Sequence, residues 1–383
     1  MSYIHTDIFT HQIAKVPGNL CGDVIGYRHD EDATTLILAD GLGAGVKANI
    51  AAEMCVSRFL SLIGHGASLR EAFAAMVKTM NSAWGRDEAF SVFSVARILN
   101  NGNTTVLSYD SPAPILVTNN YAKVLSDRVY TLENAVICEN FGKLNEGEGL
   151  LIMSDGITQA GIGNGLKNGW GSDGIAKYLN KRNVLESIDG EMFAIDIYKQ
   201  AKSYWGKSQG DDCSVLLAKN RKGITVNILS GPPVSKNDDN QMVSDFLNAK
   251  GIKVICGGTT AILAARELKK TLESEKIAGN NIAPPSYKID GINLVTEGIV
   301  TLNQVYNLMD EESEAFEEDS PVFELLEMLN MADRVNIFQG RSSNPAGANI
   351  VYRQQGILPR KKILQLIKDK LIEQGKLVVC YEY

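Results

Sequence analysis

Four aspartates border apolar runs: Asp23 in Cys21-Gly22-Asp23, Asp40 in Ala39-Asp40-Gly41-Leu42-Gly43-Ala44-Gly45, Asp155 in Ser154-Asp155-Gly156-Ile157, and Asp211 in Gly210-Asp211-Asp212-Cys213-Ser214-Val215-Leu216. A single Asp-Gly at a strand end is an ordinary turn. Four such signals, each against an apolar strand, form a set. All are hard oxygen donors, which suit Mg²⁺ or Mn²⁺. No histidine or cysteine pattern at these strand ends competes for a softer metal.

The surrounding sequence predicts how these residues are held. Thr34–Ala39 is a buried strand that delivers Asp40, and the glycines after it allow close backbone approach. Strands at about 21–28 and 33–39 form an antiparallel hairpin that brings Asp23 towards Asp40. Helices follow over Val46–Ile63 and Leu69–Trp84, the second opened by a Ser68/Glu71 capping box. Phe90–Leu99 and Thr104–Tyr109 are strands joined at Asn101-Gly102. Ile115–Thr118 and Ala122–Leu125 form another hairpin. A further strand ends at Asp155, and a glycine-rich surface loop over Gly161–Gly174 carries Trp170. Helices at about 172–181 and 190–204 precede the strand that begins at Cys213. His5, Asp7 and His11 alternate along a half-solvated strand and are polar surface rather than ligands.

In order and spacing the four motifs resemble the metal-dependent PP2C-like (PPM) protein phosphatases, specifically the sporulation-protein-E and RsbU-like serine phosphatases of bacteria. The resemblance covers about residues 5–219. It implies an α-β-β-α sandwich and therefore an α+β fold class. It also implies two Mn²⁺ or Mg²⁺ ions. Asp40 would bridge them, Asp23 would hold one or both, and the Gly41 carbonyl would add a ligand. Asp155 and Asp211 would share the second ion, and Asp212 would stand behind them. Ser214 replaces a frequent threonine. The implied activity is hydrolysis of phosphoserine or phosphothreonine in a phosphoprotein by a two-metal-activated water, in bacterial signalling. No basic residue closely flanks Asp23, so phosphate would be held mainly by metals and water. A catalytically inactive PP2C-like binding module, or a small-molecule phosphatase, are the alternatives.

Asn220-Arg221-Lys222-Gly223 is a polar break that separates residues 1–219 from a second domain, 223–383. Beyond it strands and helices alternate, which predicts a smaller three-layer α/β domain with a largely parallel sheet. Its role is sensory or docking. Cys256-Gly257-Gly258-Thr259-Thr260 links a strand to a helix, as does Ser230-Gly231-Pro232-Pro233 after the preceding strand. Gly257, Gly258, Thr259 and Thr260 are a candidate site for a small polar or anionic ligand at the carboxyl edge of that sheet. They do not make a nucleotide-triphosphate loop, because no Gly-Lys-Ser/Thr follows.

Composition narrows the rest. The 383-residue chain carries a net charge of −7, which argues against nucleic acid and anionic membranes as partners. No run approaches a membrane span, and the first residues lack a signal-peptide pattern. Six scattered cysteines without a Cys-x-x-Cys read as reduced thiols in the cytoplasm.

Overall fold

The computed structural model describes residues 3–43, 45–83, 90–126, 128–132, 135–181, 189–206, 210–275, 286–310, 320–342 and 356–383. Ala44 of the Asp40 motif and Trp84 lie outside them. The chain divides into two compact units, Tyr3–Lys222 and Gly223–Tyr383.

In the first unit the strands are β1 (Ile4–Ile13), β2 (Asp23–His29), β3 (Ala33–Gly41), β4 (Ser91–Leu99), β5 (Asn103–Tyr109), β6 (Ile115–Val117), β7 (Ala122–Val124), β8 (Arg128–Leu132), β9 (Ala135–Lys143), β10 (Gly149–Met153) and β11 (Cys213–Lys222). They form two antiparallel sheets, ordered β1-β11-β10-β6-β7 and β2-β3-β4-β5-β9-β8. Leu36 and Leu38 of one sheet meet Leu150, Ile152 and Leu216 of the other in the apolar layer between them. Alternate residues face outward: Ile37, Phe93, Val95 and Leu107 pack under α1 (Val46–Gly64) and α2 (Leu69–Ala83). On the far side Leu151, Met153, Val215 and Leu217 pack under α4 (Gly171–Lys181) and α5 (Gly190–Trp205), with the short α3 (Asp155–Thr158) at the sheet end. Strict two-residue alternation between two covered faces is what makes this a four-layer α-β-β-α fold.

Ser68 and Glu71 form the expected capping box, with the Ser68 N–H donating to Glu71 Oε2 at 2.9 Å. The Gly161–Gly174 stretch begins as the expected exposed loop, and Trp170 departs from it. Trp170 is 9% exposed and packs against Tyr178 and Tyr204, so this stretch contributes a core anchor. β8 and β9 carry no clear alternation in the sequence. Glu139 of β9 is buried because Arg70 (2.8 Å) and Arg128 (3.4 Å) neutralise it.

The second unit has one sheet, ordered β14 (Glu273–Glu275), β15 (Ser286–Lys288), β16 (Leu294–Thr296), β13 (Ile252–Cys256), β12 (Thr225–Ser230), β17 (Arg334–Gln339) and β18 (Leu377–Glu382). From β16 to β18 the pairing is parallel, and β14 and β15 add an antiparallel edge. α6 (Asp239–Asn248) and α7 (Gly258–Leu268) cover one face. α8 (Ile299–Leu308), α9 (Pro321–Met331) and α10 (Arg360–Glu373) cover the other. The unit is thus a three-layer α/β fold.

Candidate metal centre

Asp23 opens β2 and Asp40 stands near the end of β3, and in the antiparallel register they are direct partners. Their carboxylates therefore leave neighbouring strands on the same side. Asp155 follows β10 as the first residue of α3, and Asp211 lies two residues before β11. β10 and β11 are paired neighbours, so these two acids also come to one end of their sheet.

The electrostatics tie the acids together. Burial pushes the Asp40 carboxyl up to about 9, reinforced by the charges of Asp23, Asp155 and Asp211. Asp40 also hydrogen-bonds Asp155, which raises the Asp40 pKa and lowers that of Asp155. Asp155 is itself raised overall, first by burial and then by Asp211. Asp23 is 3% exposed and is pushed up to about 6, mainly by burial. Ser214 and Ser154 lower it in part, yet neither of its oxygens has a hydrogen bond of ordinary geometry.

A buried carboxylate without donors, beside further carboxylates, calls for a positive charge. The donor set consists of oxygens only, and it fits a hard divalent cation. Among the described residues, no three His, Cys, Asp or Glu side chains stand in a ready-made metal-binding geometry. The acids are neighbours that do not yet close on one point.

The backbone around them is tightly fixed. A Cβ on Gly41 would lie 2.0 Å from the Ala48 carbonyl oxygen, so only glycine lets α1 start this close to Asp40. A Cβ on Gly156 would lie 1.9 Å from the Asp212 carbonyl oxygen. Asp212 is 5% exposed and works inside the protein: it accepts from the Lys15 N–H at 2.6 Å and the Gly22 N–H at 3.0 Å. It thereby clamps the segment entering β2 to the start of β11. Asn49 of α1 donates to the Cys21 carbonyl at 2.8 Å and fastens the helix to the same segment.

One site residue escapes a reading of the sequence. The Lys15 ammonium stands 3.9 Å from Asp211 Oδ1 and is 41% exposed. A basic group does stand by the cluster, although none flanks Asp23 in sequence. No local pattern marks it; β1 pairs with β11 as far as Ile13 opposite Cys213, and that long-range register places Lys15 beside Asp211.

The family model for stage II sporulation protein E matches residues 30–221, half of the chain. The chain belongs to the SpoIIE family. Among solved structures, the SpoIIE phosphatase domain with a regulatory fragment from Bacillus subtilis is 16% identical with a TM-score of 0.49. That match covers 58% of this chain and 64% of the other, so the chain spans less than two thirds of it. The RsbU and RsbW domains of a Mycobacterium tuberculosis protein are 17% identical with a TM-score of 0.47, over 64% of this chain and 69% of that one. RsbX in complex with magnesium is 17% identical with a TM-score of 0.41, over 57% and 99%. The assignment to the SpoIIE family rests on the family model, not on these likenesses. No curated protein matches.

In the second unit of this SpoIIE-family chain the two predicted loops do meet: the Gly231 N–H donates to Thr260 Oγ1 at 2.8 Å. The N–H groups of Gly257 and Gly258 are already used, donating to the Thr296 and Glu297 carbonyls at 3.1 and 3.0 Å. The candidate anion cradle at Gly257, Gly258, Thr259 and Thr260 has thus committed two of its donors to the fold. Burial pushes the Cys21 and Cys256 thiols beside these sites up to about 12, away from the thiolate form.

Proposed function

We propose that this SpoIIE-family protein is a divalent-metal-dependent serine/threonine protein phosphatase acting in bacterial signalling. The observation that carries this reading is geometric: Asp23 and Asp40 are register partners on β2 and β3, and Asp155 and Asp211 stand at one end of the paired strands β10 and β11, where burial and neighbouring charges raise Asp23, Asp40 and Asp155 above the ordinary carboxylate range. Asp23, Asp40, Asp155, Asp211 and the Gly41 carbonyl would hold two Mn²⁺ or Mg²⁺ ions. When bound, those ions supply Lewis-acid polarisation of the phosphoryl oxygens and a water of lowered pKa.

The chain's own residues do the rest. Asp212 fixes the geometry of the two loops that carry Asp23 and Asp211. Gly41 and Gly156 keep the backbone close behind the acids. Lys15, partly exposed and beside Asp211, is placed to bind a phosphoryl oxygen of the substrate and offset its charge. No covalent phosphoenzyme is required, so no nucleophilic side chain is assigned. We place the protein in the cytoplasm, with the first unit as the catalytic domain, ending at Lys222 and not at the expected 219 because β11 continues through the polar break, and residues 223–383 as a sensory or docking domain.

The test is phosphate release from a phosphoserine peptide by metal-stripped protein to which Mn²⁺ is restored. Turnover that appears with Mn²⁺ and disappears with chelator is expected. An inert protein at saturating Mn²⁺ would leave a binding module in place of an enzyme.

A further inference from the structure

The first unit carries a second concave site, away from the four aspartates. It is a cleft of about 530 Å³ beside the start of α2. That volume lies in the range of small-molecule sites. Its floor is one register row of the sheet: Arg97 of β4 is the partner of Thr105 of β5, and Thr105 is the partner of Phe141 of β9. Paired residues of antiparallel strands project to the same face. Two residues along, Ile37, Val95 and Leu107 face the same way and are covered by α1 and α2. At the row of Arg97 the helical cover opens into the cleft. Leu69 and Arg70, the first residues of α2, form one side, and Leu99 and Asn103 continue the floor. Val92, the partner of Asp40, precedes Arg97 on β4 by five residues, so roughly 17 Å separate the cleft from the metal centre.

Arg97 gives the cleft a charge. It is half-buried, and among the described residues its hydrogen bond goes to Thr35 Oγ1 at 3.4 Å, with no carboxylate as partner. Most of its planar fork of donors, which suits a carboxylate, is unused. The charges nearby do not compensate it. Arg70 and Arg128 share one acid, Glu139, at 2.8 and 3.4 Å. Glu71, in the first turn of α2, is engaged with the Ser68 N–H and hydroxyl at 2.9 and 2.7 Å. Positive charge is therefore in excess here, in a chain whose net charge is −7. The capping box also occupies the end of α2, so the preference for an anion comes from Arg97 and not from a helix terminus.

The rest of the lining is mostly apolar. Phe141 is 51% exposed, a large ring left open beside Leu69 and Leu99. The Arg70 guanidinium lies over the Phe141 ring, 5.4 Å from its centroid, and holds it in place.

We propose that this cleft binds a small aromatic carboxylate. The carboxylate takes the unused donors of Arg97. The ring lies on Leu69 and Leu99 and against the exposed part of Phe141, where offset or edge-to-face packing is favoured. The Thr105 hydroxyl and the Asn103 side-chain amide, which have no partner among the described residues, serve polar substituents on the ring. Both halves of the ligand are needed. An aliphatic acid forfeits the aromatic wall, and a neutral arene leaves Arg97 uncompensated.

Calorimetric titration of the full-length, metal-free protein tests this without calling on phosphatase activity. The probe is 2-naphthoate, and 2-naphthalenemethanol is its neutral counterpart. Saturable binding of the acid is expected. The alcohol should bind about tenfold more weakly or worse, and Arg97→Gln should lose the acid by a similar factor. Phe141→Ala should also weaken it. Comparison of acid and alcohol uses the wild-type protein alone and is independent of any variant's folding. Intermolecular nuclear Overhauser effects should connect the naphthalene protons with the Leu99 methyls and the Phe141 ring. No saturable binding of naphthoate, an alcohol that binds as tightly as the acid, an Arg97→Gln protein with unchanged affinity, or Overhauser effects confined to other residues would overturn the proposal.

Discussion

At the scale of residues, Asp23, Asp40 and Asp155 stand in two tensions at once, with burial and with neighbouring carboxylates. Replacing Asp40 by Asn removes the group most strongly pushed towards its neutral form. The expected outcome is a loss of turnover by orders of magnitude, together with an unchanged or higher melting temperature without metal. Activity assays and thermal melts on the same preparation check both halves. The pKa directions also fix a sign. In the unfolded chain these carboxyls ionise near 3.8, while in the fold Asp23 titrates at about 6 and Asp40 at about 9. Between those values the folded state holds more protons, so metal-free stability falls as pH rises. Metal binding needs the ionised forms and releases protons. Stabilisation by Mn²⁺ should therefore grow from about pH 5 to about pH 8; melts with chelator and with Mn²⁺ measure it, and a metal-free protein that gains stability over this range would contradict it. Lys15→Ala should weaken substrate binding more than metal binding, read as a raised KM at unchanged Mn²⁺ affinity. The aspartates were legible because each follows or precedes glycine at the end of an apolar strand. Lys15 was not, because only the pairing of β1 with β11 brings it there.

At the scale of elements, the beginning of α1 is the tightest joint. The Gly41 backbone touches Ala48, and Asn49 holds the Cys21 carbonyl. Gly41→Ala should push α1 away from Asp40 and cost about 1–3 kcal/mol of stability, with Mn²⁺ affinity falling more than the distant packing would suggest. Chemical denaturation and Mn²⁺ titration of the variant check this. The hairpin of β2 and β3, both pairs of covering helices and the strands feeding Asp155 and Cys213 were all legible from alternation and helical spacing. β8 and β9 were not. A buried Glu139 paired with Arg70 and Arg128 breaks the apolar pattern, and such pairing across sequence has no local signal. Trp170 was misjudged for the opposite reason. Its glycine-rich setting reads as surface, but the tyrosines it packs against, Tyr178 and Tyr204, come from α4 and α5.

At the scale of the whole molecule, each of the two compact units has its own apolar clusters and its own sheets. Residues 1–222 should therefore fold alone and keep basal Mn²⁺-dependent phosphatase activity; an insoluble fragment, or a folded and inert one, would count against a self-contained catalytic unit. The change from meandering antiparallel strands to strand-helix alternation was legible at the polar break, because it is a change of period and needs no long-range information. The central claim is that Asp23, Asp40, Asp155 and Asp211 form a divalent-cation site. Anomalous diffraction from crystals grown with Mn²⁺ tests it most directly. Manganese peaks flanked by Asp40, Asp155 and the Gly41 carbonyl, lost in Asp40→Asn crystals, are the predicted result. An empty cluster in well-ordered crystals at saturating Mn²⁺ would contradict it.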